Sequence, residues 1–203
     1  IRRILSSIFL QAQNEGQTTK NPVALVKLPK VHRETNGKRA FTLAEVKDLY
    51  AKATPFWRWM IRIAFFTGFA LGDLVTLRRA NVDLAQGTIS IRRRKTGKPI
   101  KAPINHSLRE LFAEKWPKRA DDYFWPDEAD RYLNKGGATQ FSHEFHDLMA
   151  ACGLVEMRPR GHKTKGPGRS ARRQGTGLGF HCMRHTFVTN LKVAGAVDSV
   201  AKE

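Results

Sequence analysis

Thr88-Ile89-Ser90-Ile91-Arg92-Arg93-Arg94-Lys95-Thr96-Gly97-Lys98-Pro99-Ile100-Lys101-Ala102-Pro103-Ile104 carries the chain's one convincing sheet signal. Apolar residues alternate with polar ones at both ends, and Lys95-Thr96-Gly97-Lys98-Pro99 supplies turn chemistry between them. The spacing predicts an antiparallel hairpin with lysines near its tip. Every other periodic stretch reads as helix. Upstream, Leu71 to Leu77 forms a short helix, and Phe56 to Phe66, rich in Trp57, Trp59, Met60 and Ile63, a central one. Thr42-Leu43-Ala44-Glu45 is a capping box that opens the domain. Downstream, Ser107 is read as the N-cap of Leu108 to Trp116. Further helices run from Phe141 to about Cys152 and from about His181 to Ala194. The expected class is α+β, mainly α-helical, with a small antiparallel β-sheet.

The segment before Thr42 reads differently. Ile1, Ile4, Leu5 and Ile8 fall at helical spacing, and Gly16 ends that helix. Asn21-Pro22 and Leu28-Pro29 are expected to hold the chain extended, and the polar run Val31 to Arg39 has linker composition. The boundary is placed between residues 1–39 and 40–203.

Composition narrows the function. Among 203 residues, 36 lysines and arginines face 18 acids, giving a formal net charge of +18 that favours a polyanionic partner. At 41% hydrophobic, the chain can bury a core, so it is no disordered basic tail. No apolar run approaches the roughly 18 residues of a membrane helix. The first residues lack the pattern of a signal peptide. Two cysteines, Cys152 and Cys182, make no disulfide framework, and a reducing compartment is expected. Between Met157 and Gly177 acids are absent and Gly and Pro frequent. Arg158, Arg160, Lys163, Lys165, Arg169, Arg172 and Arg173 make that stretch a cationic loop.

Three clusters could carry chemistry. In Gly179-Phe180-His181-Cys182-Met183-Arg184-His185-Thr186-Phe187, His181 and Arg184 share a helix face, where they could grip one phosphate and move one proton. A solvated polar face opposite an apolar stripe would give the same spacing. Lys95-Thr96-Gly97-Lys98 could hold an ammonium toward a groove, although lysines also blunt exposed sheet edges. Thr67-Gly68-Phe69-Ala70-Leu71-Gly72-Asp73-Leu74 is a tight break before a helix start, a place that can bind anions and is also common structurally. His143 with His146, and Cys182 with His185, each have half the spacing of a zinc site, but a complete ligand set is lacking and no metal is expected.

Together and in this order, these clusters resemble the tyrosine recombinase (phage integrase) family. Its members typically show T-G-x-R-x-x-E/D-L, a hairpin lysine often in K-T-G-K, and then H-x-x-R-H-T-F. The resemblance runs from about Phe41 to Glu203. It implies a catalytic-domain fold at 40–203, C-terminally incomplete, and at 1–39 the end of a core-binding-type helical domain plus linker. It also implies site-specific recombination of duplex DNA through a 3′-phosphotyrosyl intermediate, without metal or nucleotide cofactor. Full enzymes of this kind act as homo-tetramers on DNA, in the cytoplasm at the nucleoid, with neither membrane nor small-molecule substrate involved.

By position, Arg184 matches the second arginine clamp, His181 the proton-transfer or phosphate-contact residue, and Lys95 the group that protonates the leaving 5′-oxygen. His185 and Asp73 match supporting positions. Two departures follow. Ala70 stands where the family places its first arginine, and Tyr50, Tyr123 and Tyr132 all precede His181, whereas the family's nucleophile follows the H-x-x-R helix. The polypeptide is therefore expected to bind DNA, through Arg92, Arg93, Arg94 and the loop Arg158 to Arg173, without cutting it. A non-catalytic, degenerate recombinase module is the alternative. A basic RNA-binding protein is a further one, though no RNA-binding signature is present.

Overall fold

A computed structural model describes residues 2–26, 38–94, 96–157 and 177–196. The chain divides into two compact units, Ile1–Thr35 and Asn36–Glu203.

The first unit holds α1 (Arg2–Asn14) and a short α2 (Pro22–Leu25). Asn21 and Pro22 do not simply extend the chain. Asn21 itself is extended, as a residue before proline should be, but its side chain accepts from the Val23 N–H and caps α2, with Pro22 in the first turn. The Asn21 amide also donates to the Ser6 carbonyl at 3.2 Å, tying α2 back to α1. Leu28-Pro29 lies outside the described residues.

In the second unit, α3 (Leu43–Lys52) starts on the expected capping box, with Thr42 and Glu45 satisfying each other's orphan amides. The central helix α4 (Pro55–Thr67) buries Phe56, Trp57, Trp59, Met60, Ile61, Ile63 and Ala64, so its apolar residues face neighbours on almost every side. It ends at Gly68, whose φ of +63° is the left-handed cap that glycine adopts at low cost. There follow α5 (Leu71–Val75), a 3-10 turn (Arg79–Asn81), and strands β1 (Val82–Asp83), β2 (Thr88–Arg92) and β3 (Pro99–Pro103). The sheet is antiparallel in the order β1-β2-β3. In the predicted hairpin Ile89 pairs with Ala102 and Ile91 with Ile100. Ile89, Ile91 and Ala102 face the core, while Ser90 and Lys101 face outward. The two-residue β1 was not anticipated, because it is too short to show alternation.

The remaining helices are α6 (His106–Glu114), α7 (Pro126–Asn134), α8 (Gly137–Ala151) and α9 (Cys182–Val193). Asn105, not Ser107, caps α6. The Ser107 hydroxyl instead accepts from the Arg62 Nε at 2.9 Å. Helix α7 escaped the sequence reading because it is short and mostly polar, with only Ala129, Tyr132 and Leu133 at helical spacing after Pro126. Helix α8 begins at Gly137 rather than Phe141; Gly137 lies so close to the end of α7 that a Cβ there would be 2.5 Å from the Arg131 carbonyl oxygen. The α8 aromatics Phe141 and Phe145 pack on Trp57 of α4, and Phe145 and Trp57 both meet Phe180 just before α9. That aromatic cluster sets where His181 sits. No described helix is long and apolar enough to cross a membrane.

Candidate functional site

Two of the three sequence clusters meet where α4 ends. Helix α9 packs along α4, and the two come close at Gly68, where a Cβ would lie 2.6 Å from Cδ1 of Phe187. Glycine is thus required there twice, for its φ and for the space. This approach lets the Arg184 Nη1 donate to the Gly68 carbonyl at 3.2 Å, across 116 residues of sequence. Arg184 is half-buried. Burial pushes its pKa down from the ordinary guanidinium value, the charge of Arg93 adds to that, and Asp73 opposes it. A guanidinium stays charged regardless. Arg184 is therefore a partly desolvated cation, held by a backbone carbonyl and flanked by one like and one opposite charge.

Ala70 and His181 line one cleft of about 510 Å³, together with Lys38, Gly72, Ser142 and His146. Ala70 is the N-cap residue of α5, and its methyl group makes no cap bond. His181 is exposed at the start of α9, and its ring meets that of His185 edge-on with centroids 5.2 Å apart. The Nε2 of His185 is buried and has no hydrogen-bond partner among the described residues.

The hairpin reaches the same region. The Arg94 N–H donates to Asp73 Oδ1 at 3.2 Å, so Asp73 of α5 anchors the strand leading to the tip. The Arg94 guanidinium lies 5.5 Å over the Tyr132 ring, and Tyr132 abuts Gly72, whose absent side chain leaves room for its hydroxyl. Arg92 folds back to donate to the Gly97 carbonyl at 2.9 Å. Of the three consecutive arginines, Arg93 is the one whose charge bears on Arg184. Lys95 lies outside the described residues, as do Arg158, Arg160, Lys163, Lys165, Arg169, Arg172 and Arg173.

Sequence reasoning missed the part played by Thr186. Its hydroxyl is buried, donates to the Cys182 carbonyl at 3.1 Å, and accepts the Phe41 N–H at 2.8 Å. The motif threonine thereby ties the start of the domain to α9. The signal lay in the quoted motif itself, but nothing in the sequence named a partner 145 residues away. Lys38, Ser142 and His146 were also not gathered into the site: His146 was read only with His143 as half the spacing of a zinc site, and Lys38 and Ser142 belong to no motif.

Among the described residues no group of three or more His, Cys, Asp or Glu is placed to hold a metal ion. Cys152 and Cys182 are free thiols, and burial pushes both up from the usual thiol value.

The chain is 34% identical over 106 residues to the integrase of Enterobacteria phage 434, a match that covers 51% of this chain and 28% of that protein. Its fold is that of a lambda integrase (residues 75–356) dimer bound to a COC′ core site, with a TM-score of 0.65 at 22% identity over 99% of this chain and 68% of that one. A lambda integrase tetramer bound to a Holliday junction superposes with a TM-score of 0.62 at 20% identity, over 99% of this chain and 55% of that one. At these identities the two structures speak for the fold alone. Residues 39–203 match the model of the phage integrase family, and the chain belongs to that family.

Proposed function

We propose that this chain is the phosphate-gripping domain of a site-specific tyrosine recombinase, and that the polypeptide of residues 1–203 binds duplex DNA without cleaving it. The observation that carries the reading is the junction of Arg184 with the Gly68 carbonyl, beside Asp73 and next to Ala70. Motifs more than a hundred residues apart meet there, and Ala70 and His181 of the same two motifs line a cleft with no acidic residue among its lining. A partly buried cation beside an open cleft suits the oxygens of a transferring phosphoryl group, because preorganised charge is worth more where water is excluded.

In this reading Arg184 clamps a non-bridging phosphate oxygen, and His181 contacts the phosphate or moves its proton. Lys95, carried by a hairpin whose Arg94 is fastened to Asp73, protonates the leaving 5′-oxygen. His185 buttresses His181. Asp73 acts on Arg184 and the hairpin rather than on an arginine at position 70. A methyl group at Ala70 donates nothing, and losing one preorganised donor costs on the order of 10²–10³ in rate. None of the three tyrosines serves as nucleophile: Tyr50 is on α3, Tyr123 accepts the Arg78 guanidinium at 2.8 Å, and Tyr132 is packed against Gly72. Ala70 equally suits a degenerate module that occupies DNA without recombining it. The full enzyme would act as a homo-tetramer on two duplexes, in the cytoplasm at the nucleoid.

Titrating a labelled duplex at several salt concentrations checks this. With six or more phosphate contacts, affinity should fall by roughly 10³ or more between 50 and 200 mM salt. A flat salt response, tighter binding to structured RNA at matched salt, or a covalent protein–DNA adduct on a nicked duplex would each overturn it.

A further inference from the structure

One residue lining the cleft with Ala70 comes from outside the three motifs. Lys38 is exposed, and it immediately precedes a strap that is fastened at several points within a few residues. Arg39 forms a two-pronged ion pair with Glu45, at 2.8 and 2.6 Å. The Phe41 N–H is bonded to the buried Thr186 hydroxyl, and the Phe41 ring is buried edge-on against Phe145. Thr42 and Glu45 close the capping box. An ordinary polar linker would let its lysine range over solvent, whereas this one delivers Lys38 to the wall of the 510 Å³ cleft shared by Ala70, His146 and His181. The positive charges of Lys38 and Arg39 are felt at Cys182, the first residue of α9, where they favour the thiolate. No acidic residue is among those lining the cleft.

We infer that Lys38 supplies the phosphate-binding cation that Ala70 cannot, holding a backbone phosphate oxygen of duplex DNA in the cleft it shares with His181. The inference rests on the proposed reading of this cleft as a DNA phosphate site. An ammonium is a compact point charge on a flexible stem, not a rigid two-pronged fork. Lys38 can therefore restore affinity for the ground-state phosphate while doing little to fix the geometry of a transition state. The cleft so equipped is a site for holding DNA.

A double-mutant cycle tests this on the full chain, with a fluorescently labelled duplex as probe and the salt dependence recorded for each protein. Lys38→Ala should weaken binding about threefold to tenfold and lower the salt slope by about one. Lys38→Arg should bind like the parent. Ala70→Arg should bind at least as tightly as the parent, and in that background Lys38→Ala should cost less than about twofold, since the guanidinium already occupies the site. Lys47→Ala, an exposed lysine on the outer side of α3, measures the effect of removing any one charge. An equal cost of Lys38→Ala in both backgrounds, or a cost no larger than that of Lys47→Ala, overturns the inference and leaves the DNA-binding reading standing. Failure of the parent chain to bind duplex DNA overturns both.

Discussion

At the junction of α4 and α9, the floor of the site, Gly68, Thr186 and Phe187 hold the molecule by close packing and by a hydrogen bond shielded from water. On the surface, the rim of the comparison, Lys38, Arg39, Arg92 and Arg94 carry exposed charge, and the ties of Arg39 and Arg92 are an ion pair and a bond to backbone in contact with solvent. The floor joins elements distant in sequence through α4 and α9. The rim joins neighbours: Arg39 to Glu45, and Arg92 to Gly97. The difference teaches which contacts set the shape of the site and which tune its charge. Buried contacts respond to volume and to unpaired polar groups, whereas exposed ones respond to salt and pH.

The sharpest break in this contrast is Gly68→Ala. A non-glycine residue at φ +63° is strained, and the added Cβ would sit 2.6 Å from Phe187 Cδ1, near the base of a ring that cannot simply swing away. Strain and overpacking together should cost about 2–4 kcal/mol, read as a lower urea midpoint. Adding Phe187→Ala should remove the overlap but not the backbone strain, so the double variant separates the two.

Thr186→Val comes next. Its shape is kept, but the buried Phe41 N–H loses its acceptor, at about 1–3 kcal/mol. Thr186→Ser should retain the bond and most of the stability. If valine proves harmless, the strap is held by Phe41 packing alone, and the floor does not extend to it.

The smallest effect belongs to the rim. The Arg39 guanidinium is the main cause holding the Glu45 carboxyl at about 2, down from 4.5. A depressed folded value means the stabilisation is present above about 4.5 and is lost as pH falls toward about 2. Since Arg39 is half-exposed, solvent screens the pair, and Glu45→Gln should cost only about 0.2–1 kcal/mol near neutral pH. That cost should shrink in high salt and vanish near pH 2, whereas the costs of Gly68→Ala and Thr186→Val should not follow salt. Equal salt dependence of all three would erase the distinction between floor and rim.

Much of the architecture was legible because it is local. Alternation at Ile89, Ile91, Ile100 and Ala102, the Thr42–Glu45 capping box and the apolar density of α4 are all readable within a few residues of themselves. His181, Arg184 and Asp73 were equally legible as motif members, since they keep recognisable spacing in His181-Cys182-Met183-Arg184 and Gly72-Asp73-Leu74. Helix α7 was not, because Ala129, Tyr132 and Leu133 are too few among its polar residues to stand out. Tyr132, placed on that helix, could not be foreseen as the surface on which Arg94 lies.

The linear chain by itself therefore determined the class of fold, the basic character, the order of the three clusters and the alanine at position 70. Only the tertiary structure decided that the Thr186 hydroxyl fastens Phe41, that Gly68 and Phe187 close the gap over which Arg184 reaches, and that Lys38 stands in the cleft with His181. Those contacts join residues more than a hundred positions apart. Such pairings depend on how helices stack and where their side chains interlock, and no periodicity along the chain encodes them.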